Sequence, residues 1–194
     1  ISRNTFIHLA CVLLELPSLL KLNRSNLPRY IEFSGLEHLY AVKAKGTGAL
    51  VMASHFGNWE LMSLAVSLRF WPFNVVVRPL DNPTLDRWID RIRSRGGNRT
   101  IPKSNSAMNI LRLLRQGEAV AFLIDQNADW YEGVYVPFFR EIACTNKALA
   151  TLALRTGLPV LPVYNYRRPD GRYQMVFEPE VQLIRTGDSL LADV

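Results

Sequence analysis

Cysteine and histidine are scarce in this chain, with two of the first and three of the second among 194 residues. The cysteines, Cys11 and Cys144, lie far apart and form no metal or redox motif, so neither a disulfide framework nor a zinc site is expected. A membrane-crossing helix needs about 20 nearly unbroken apolar residues. The best run, Phe6 to Leu22, is interrupted by His8, Glu15, Pro17 and Lys21, and fails that test. No internal repeat and no Ser/Gly linker divides the chain, and no secretory leader is visible, which suggests a reducing, cytoplasm-facing setting. Residues 1–194 are therefore read as one domain. Because the chain opens at Ile1 and closes at Ala192-Asp193-Val194 with no evident terminator, that domain is read as a fragment.

What is present is ample apolar material, at 48% hydrophobic and 21% charged, which excludes a disordered tail or a low-complexity scaffold. A chain of this size buries roughly 70% of its unfolded surface, so its core needs no staple. Lys and Arg number 23 against 17 Asp and Glu, giving +6, and 18 of the 23 are arginine. Arginine forks match phosphate and carboxylate better than a lysine point charge does. Phosphorylated lipids, an anionic membrane surface, an acidic carrier protein and nucleic acid all fit that excess.

Thr5 to Leu22 reads as an apolar helix interrupted at Pro17 and followed by a basic stretch, Lys21 to Arg29. Such a helix can lie on a membrane or pack on the domain's own core. Ala49–Ser54 and Ala119–Ile124 are short apolar runs of the buried-strand kind, and Phe73–Val77 is a third strand. Between them, Trp59–Leu68 forms a helix capped by Asn58 or Ser54. Asn82-Pro83 opens a second helix, with Leu85, Trp88, Ile89 and Ile92 inward and Gly96-Gly97 as its stop. Helices over Ser104–Gln116 and Asn146–Arg155 follow, then a hairpin of Leu158–Tyr166 and Tyr173–Phe177 turned at Arg168-Pro169-Asp170-Gly171. Strands alternating with helices imply an α/β fold with a mostly parallel central sheet flanked by helices. Ligands gather at the carboxyl ends of such strands, which points to His55, Arg78 and Asp125.

Of the histidines, His8 sits in the apolar N-terminal segment and His38 in a polar connection, and both suit structural roles. His55 directly follows a buried strand and opens Ser54-His55-Phe56-Gly57-Asn58-Trp59-Glu60. One reading is a histidine capping a helix, with Glu60 an ordinary acid of the first turn. The other is a general base: imidazole, with an ordinary pKa of about 6.5, accepts a proton at cellular pH when neutral. A carboxylate on its second nitrogen fixes the tautomer, and the spacing lets Glu60 fold back under the ring. Ser54 precedes His55 and ends the strand, and no other serine or cysteine stands in the motif, which suggests that the attacking hydroxyl belongs to the substrate.

The ordered set of motifs then resembles a known family. His55-x4-Glu60 after a strand, Val77-Arg78-Pro79-Leu80-Asp81-Asn82-Pro83, and Arg93 with Arg95-Gly96 are similar to the lipid A biosynthesis acyltransferases, within the larger glycerolipid acyltransferase group. Asp125-Gln126-Asn127, Gly133 to Phe139, Ala143-x-Thr145 and Gly157 to Pro162 continue the match in order, so it covers about Arg3 to Leu183. The resemblance implies an αβα enzyme at the cytoplasmic face of the inner membrane. It would move a fatty acyl group from acyl-carrier-protein thioester to a hydroxyl of a lipid A precursor. His55 would be the base and Glu60 its partner. Arg78, Arg93 and Lys103 would bind phosphate, sugar or carrier groups, and Asp125 would line the same cleft. Asn58, Asn82 and Gln126 are also assigned to substrate binding. Neither metal nor redox cofactor is implied; the partners are acyl carrier protein or acyl-coenzyme A, a glycolipid acceptor and a membrane surface, not nucleic acid. Arg140 stands where the family often has Gly, and the family's N-terminal membrane helix and C-terminal aromatic-and-arginine segment are absent from this sequence.

The motifs also resemble the phosphatidylinositol mannoside acyltransferases, which use acyl-coenzyme A. Lysophospholipid acyltransferases fit less well, since they usually carry His-x4-Asp. A reading from another class is a non-catalytic basic module that binds membrane or nucleic acid, which accounts for +6 but not for His55 beside a strand. Arg87, Arg91 and Arg95 recur every four residues, either as a solvated stripe or as a docking face for anionic headgroups or an acidic carrier. Trp130-Tyr131 and Tyr135 to Phe139 fall in the long loop after the Asp125 strand, placed to admit an acyl chain or rest in a lipid interface.

Overall fold

The alternation of apolar positions along the central strands decides the layering. In the computed structural model, which describes residues 2–104, 106–187 and 193, nine strands form a seven-stranded sheet and a separate two-stranded ribbon. Chain order is α1 (Ser2–Leu19), β1 (Ile31–Ser34), α2 (Leu36–Ala44), β2 (Ala49–Ala53), α3 (Trp59–Arg69), β3 (Asn74–Val77), α4 (Pro83–Ser94) and β4 (Arg99–Pro102). Then follow α5 (Ala107–Arg115), β5 (Ala119–Leu123), β6 (Gly133–Phe138), β7 (Glu141–Asn146), α6 (Ala148–Thr156), β8 (Val160–Arg167) and β9 (Tyr173–Phe177). On β2 and β5, Ala49, Ala53, Ala119 and Ala121 face one core while Leu50, Val120 and Phe122 face the other. The period of two that places successive side chains on opposite faces accounts for both. The first core is closed by α1, α2, α3 and α4, the second by α5 and α6. The expected α/β class, a mostly parallel sheet with helices on both faces, is what the chain adopts.

The sheet order is β1-β9-β8-β2-β5-β3-β4. β8, β2, β5, β3 and β4 run parallel, while the hairpin return β9 is antiparallel to β8 and carries β1 alongside it. Five chain segments therefore finish at one edge. The expected hairpin is present, its turn closed by Arg168 N–H to the Arg172 carbonyl at 2.7 Å with Gly171 at φ +82°. The expected interruption of the first helix is not: α1 runs through Pro17, which forfeits only the bond to Leu13, and ends at Leu19 within the next turn. A further correction concerns the segment after the Asp125 strand, expected as one long loop. Much of it is the β6–β7 ribbon, in register from Gly133 opposite Asn146 to Phe138 opposite Glu141.

Candidate active site

The register of two strands makes the site. β2 and β5 are parallel neighbours, and Ala53 pairs with Leu123 at their ends. His55 and Asp125 each lie two residues past that pair, so they emerge side by side. One Asp125 oxygen accepts the His55 backbone N–H at 2.8 Å and the other meets the ring Nδ1 at 2.8 Å. A carboxylate only accepts, so the proton of the neutral imidazole sits on Nδ1 and the lone pair on Nε2. No partner is recorded at Nε2 among the described residues. The ring is about one-third exposed, stands edge-on to Trp59 at 5.0 Å, and borders the cleft.

Glu60 is engaged elsewhere, which corrects the expectation that it folds under the imidazole. It is the second residue of α3 and 5% exposed. Its oxygens accept from Arg93 Nε at 2.9 Å and Arg93 Nη2 at 2.5 Å, so α3 is forked to the last turn of α4. Burial pulls the Arg93 guanidinium down, but hydrogen bonding and charge from Glu60 outweigh it and hold Arg93 above its ordinary value. Glu60 thus ties α3 to α4 through Arg93 and does not reach the His55 ring.

Beneath the turn that bears His55 lies a polar network. Asn58 and Asn165 are fully buried. Asn58 N–H donates to Asn165 Oδ1 and Asn165 Nδ2 donates back to the Asn58 carbonyl, both at 2.8 Å. Asn58 Oδ1 caps α3 by accepting Leu61 N–H at 2.9 Å, and its Nδ2 donates to Glu15 of α1 at 2.7 Å. The same Glu15 oxygen accepts the Tyr173 hydroxyl at 2.8 Å, and Glu15 also pairs with Arg167. Burial, against the pull of Arg167, pushes the Tyr173 phenol upward and keeps it a neutral donor. Gly57 bridges this network and His55 at φ +69°, and a Cβ there would meet Asn165 Oδ1 at 1.9 Å. His8 Nε2 sits 2.9 Å from the Gly57 carbonyl, the structural role expected of it.

Along the sheet edge the next neighbours are cationic. Val77 pairs with Pro102, so Arg78 and Lys103 emerge together from β3 and β4. The order β2-β5-β3-β4 sets out His55, Asp125, Arg78 and Lys103 in a row roughly 14 Å long, at about 4.8 Å per strand. A cleft of about 1490 Å³ opens there, lined by His55, Arg78, Lys103 and Gln126 and by the apolar Val51, Met62 and Phe122. A base, a row of cations and an apolar interior suit a substrate with a hydroxyl, an anionic group and a hydrocarbon chain.

A family model described as bacterial lipid A biosynthesis acyltransferase matches residues 1–192. The chain belongs to that family. It is 31% identical over 156 residues to the lipid A biosynthesis lauroyltransferase of Escherichia coli (strain K12), covering 78% of this chain and 49% of that protein. Identity is 27% to the lipid A biosynthesis acyltransferase of Haemophilus influenzae (strain ATCC 51907 / DSM 11121 / KW20 / Rd), over 83% of this chain and 51% of that one. The phosphatidylinositol mannoside acyltransferase of Mycolicibacterium smegmatis (strain ATCC 700084 / mc(2)155) is 23% identical over 82% of this chain and 53% of its own. The chain thus spans about half the length of the curated relatives it matches.

Seen in this acyltransferase-family chain, the remaining expected site residues separate into three groups. Arg78, Lys103 and Gln126 border the cleft, Lys103 paired with Glu132. Arg93 also borders it but is committed to Glu60. Asn58, expected to bind substrate, is instead fully buried under the turn, its Oδ1 capping α3 and its Nδ2 bonded to Glu15. Asn82 also caps a helix, its Oδ1 accepting from Thr84 N–H at 2.9 Å and Leu85 N–H at 3.2 Å. The roles of Glu15, Asn165 and Tyr173 escaped notice in the sequence, where Glu15 stands isolated in the apolar run of α1 and Asn165 and Tyr173 stand within the two strands of the hairpin. That isolation was the available signal, because a polar side chain in a buried position must have a partner.

Proposed function

We propose that the chain is the catalytic part of an O-acyltransferase that moves a fatty acyl group from a thioester donor to a hydroxyl of a glycolipid, in the first instance a lipid A precursor. In this mechanism His55 Nε2 removes the hydroxyl proton as that oxygen attacks the thioester carbonyl. The tetrahedral intermediate collapses with cleavage of the C–S bond, and the imidazolium returns its proton to the leaving thiolate. Asp125 holds the ring through Nδ1 and stabilises the imidazolium while it exists. Arg78 and Lys103 supply positive charge for the anionic part of donor or acceptor, and the apolar cleft receives the acyl chain.

The observation that carries the proposal is the double hydrogen bond of Asp125 to His55, which leaves Nε2 as the acceptor beside the cleft. The phosphatidylinositol mannoside acyltransferases among the relatives support a second reading, with that glycolipid as acceptor and acyl-coenzyme A as donor. The reaction would take place at the cytoplasmic face of the inner membrane with the chain at the membrane surface; among the described residues no helix is long and apolar enough to cross it. Transfer of labelled acyl groups from acyl-carrier protein or acyl-coenzyme A to lipid acceptors tests both readings. His55→Ala should reduce transfer by about 10²–10⁴ with the fold intact. Retention of more than a few per cent of activity (about 5%) would overturn the assignment of the base.

A further inference from the structure

The β6–β7 ribbon carries a large concentration of exposed apolar side chains. Phe138 is 59% exposed, Phe139 92%, Tyr135 67% and Ile142 72%, while Trp130 in the approach to β6 is 76% exposed. By strand alternation Tyr135 and Ile142 lie on one face of the ribbon and Phe138 on the other, with Phe139 at the tip. Exposed apolar side chains at this density mark a contact site, and aromatic residues suit the boundary between water and lipid. The turn makes the case sharper. Phe138 pairs with Glu141, which leaves Phe139 and Arg140 as the two central residues of the tightest kind of hairpin. Phe139 has φ +54°, alone among the non-glycine residues described. Glycine or asparagine suits that conformation, and a bulky aromatic is strained in it. Apart from the Phe138 ring at 4.7 Å, no ring contact to Phe139 is recorded among the described residues, so the fold gains little from it.

Position names the occupant. The loop leading into the ribbon, Gln126 to Asp129, lines the cleft, and the ribbon's end, Asn146, lines it as well. Across the mouth, in the opposite helical layer, α1 turns Phe6, Leu13 and Leu14 outward, with Leu13 reaching the cleft. Apolar surface thus borders both sides of an opening that, on the proposed function, must receive a membrane lipid. An acidic protein partner fits the ribbon poorly. The ribbon itself carries only Arg140 and Glu141 as charged residues. Asp129 and Glu132 lie in its approach, Glu132 paired to Lys103, and Lys147 just beyond it, so it presents no cationic face, whereas Arg87 and Arg91 are on α4.

We infer that the tip of the β6–β7 ribbon, Phe138-Phe139-Arg140, inserts into the lipid surface and seats the cleft mouth on the membrane. The inference rests on the proposed function for its choice of a lipid partner, but its test needs no catalysis. Phe139→Asn and Phe138→Ser/Phe139→Ser are compared with the parent chain by sedimentation with phosphatidylethanolamine–phosphatidylglycerol vesicles, with Trp fluorescence quenched by brominated lipid as a second reading. Phe139→Asn should leave the melting temperature unchanged or raised, because asparagine accepts positive φ, yet weaken vesicle binding. The double variant should lower the partition coefficient about tenfold or more, with transfer to detergent-dispersed acceptor unchanged. Vesicle binding equal to the parent's would overturn the inference. So would loss of a dimer in light scattering, or of carrier-protein binding, with vesicle binding intact. Normal vesicle insertion by a chain that transfers no acyl group would count against the proposed function and leave this inference standing.

Discussion

A carboxylate five residues from a histidine is the natural partner to choose from a one-dimensional string, but here three dimensions choose differently. Glu60 is drawn into α3 and neutralised by Arg93, while Asp125, 70 positions downstream, is delivered to the ring by strand register. The two acids should therefore fail in different ways. Glu60→Gln leaves Arg93 with its charge mostly buried and unpaired, and should cost about 3–5 kcal/mol of stability. Adding Arg93→Met should recover most of that, because the cost lies in the orphaned charge rather than in the absent bond. Denaturant unfolding of both single variants and the double variant checks this; simple addition of the two losses would refute the pairing.

At the scale of elements, the strand-to-helix turn bearing His55 is held by a scaffold from three separate segments: α1 through Glu15 and His8, β8 through Asn165, and β9 through Tyr173. Asn165→Leu keeps the branched outline, with some added bulk, but strands the Asn58 N–H. It should cost about 1–3 kcal/mol, lowering Tm by roughly 2–4 °C for each kcal/mol. Among molecules that remain folded, kcat should fall while KM for the donor stays within about twofold, since the base is displaced and the cleft is not. Calorimetry and steady-state kinetics together check this; a loss of stability with kcat per folded molecule unchanged would reduce Asn165 to a packing role.

Elements with strong local signals were legible before any coordinates. β2 and β5 are continuous apolar runs, and α4 has a cap, a proline start and an apolar stripe. What escaped lacked such marks. β1 and β4 are four-residue edge strands, and of β4 only Ile101 is buried. α2 is preceded by Gly35 at φ +70° with no side-chain cap, so its start is marked by little more than Glu37 in the first turn. The β6–β7 turn holds Phe139-Arg140 where turn chemistry favours Asn or Gly, so the pattern rules passed over it. At the candidate site, the strand-end rule pointed to His55, Arg78 and Asp125, and His55 and Arg78 border the cleft while Asp125 is bonded to His55. The link between His55 and Asp125 was not visible, because it depends on which strands become neighbours.

At the scale of the whole molecule, the charged residues of and beside α4 are put to different uses. Arg95, expected in an arginine stripe, instead donates to the Leu19 carbonyl at the end of α1 at 2.6 Å. Asp86 and Asp90 are bound to Leu80 N–H and the Thr100 hydroxyl. Arg87 and Arg91 are exposed, with no ion pair recorded for either among the described residues. If they steer an acidic acyl carrier, Arg87→Glu/Arg91→Glu should raise KM for the carrier-bound donor about tenfold at low salt, with kcat within about twofold and the difference shrinking as salt is added. Unchanged KM at low salt would remove α4 from donor recognition. The account as a whole is tested most directly by kcat per folded molecule for Asp125→Asn beside the parent chain in the acyl-transfer assay. A fall of about a hundredfold or more with Tm preserved is the predicted result, and turnover equal to the parent's would contradict it.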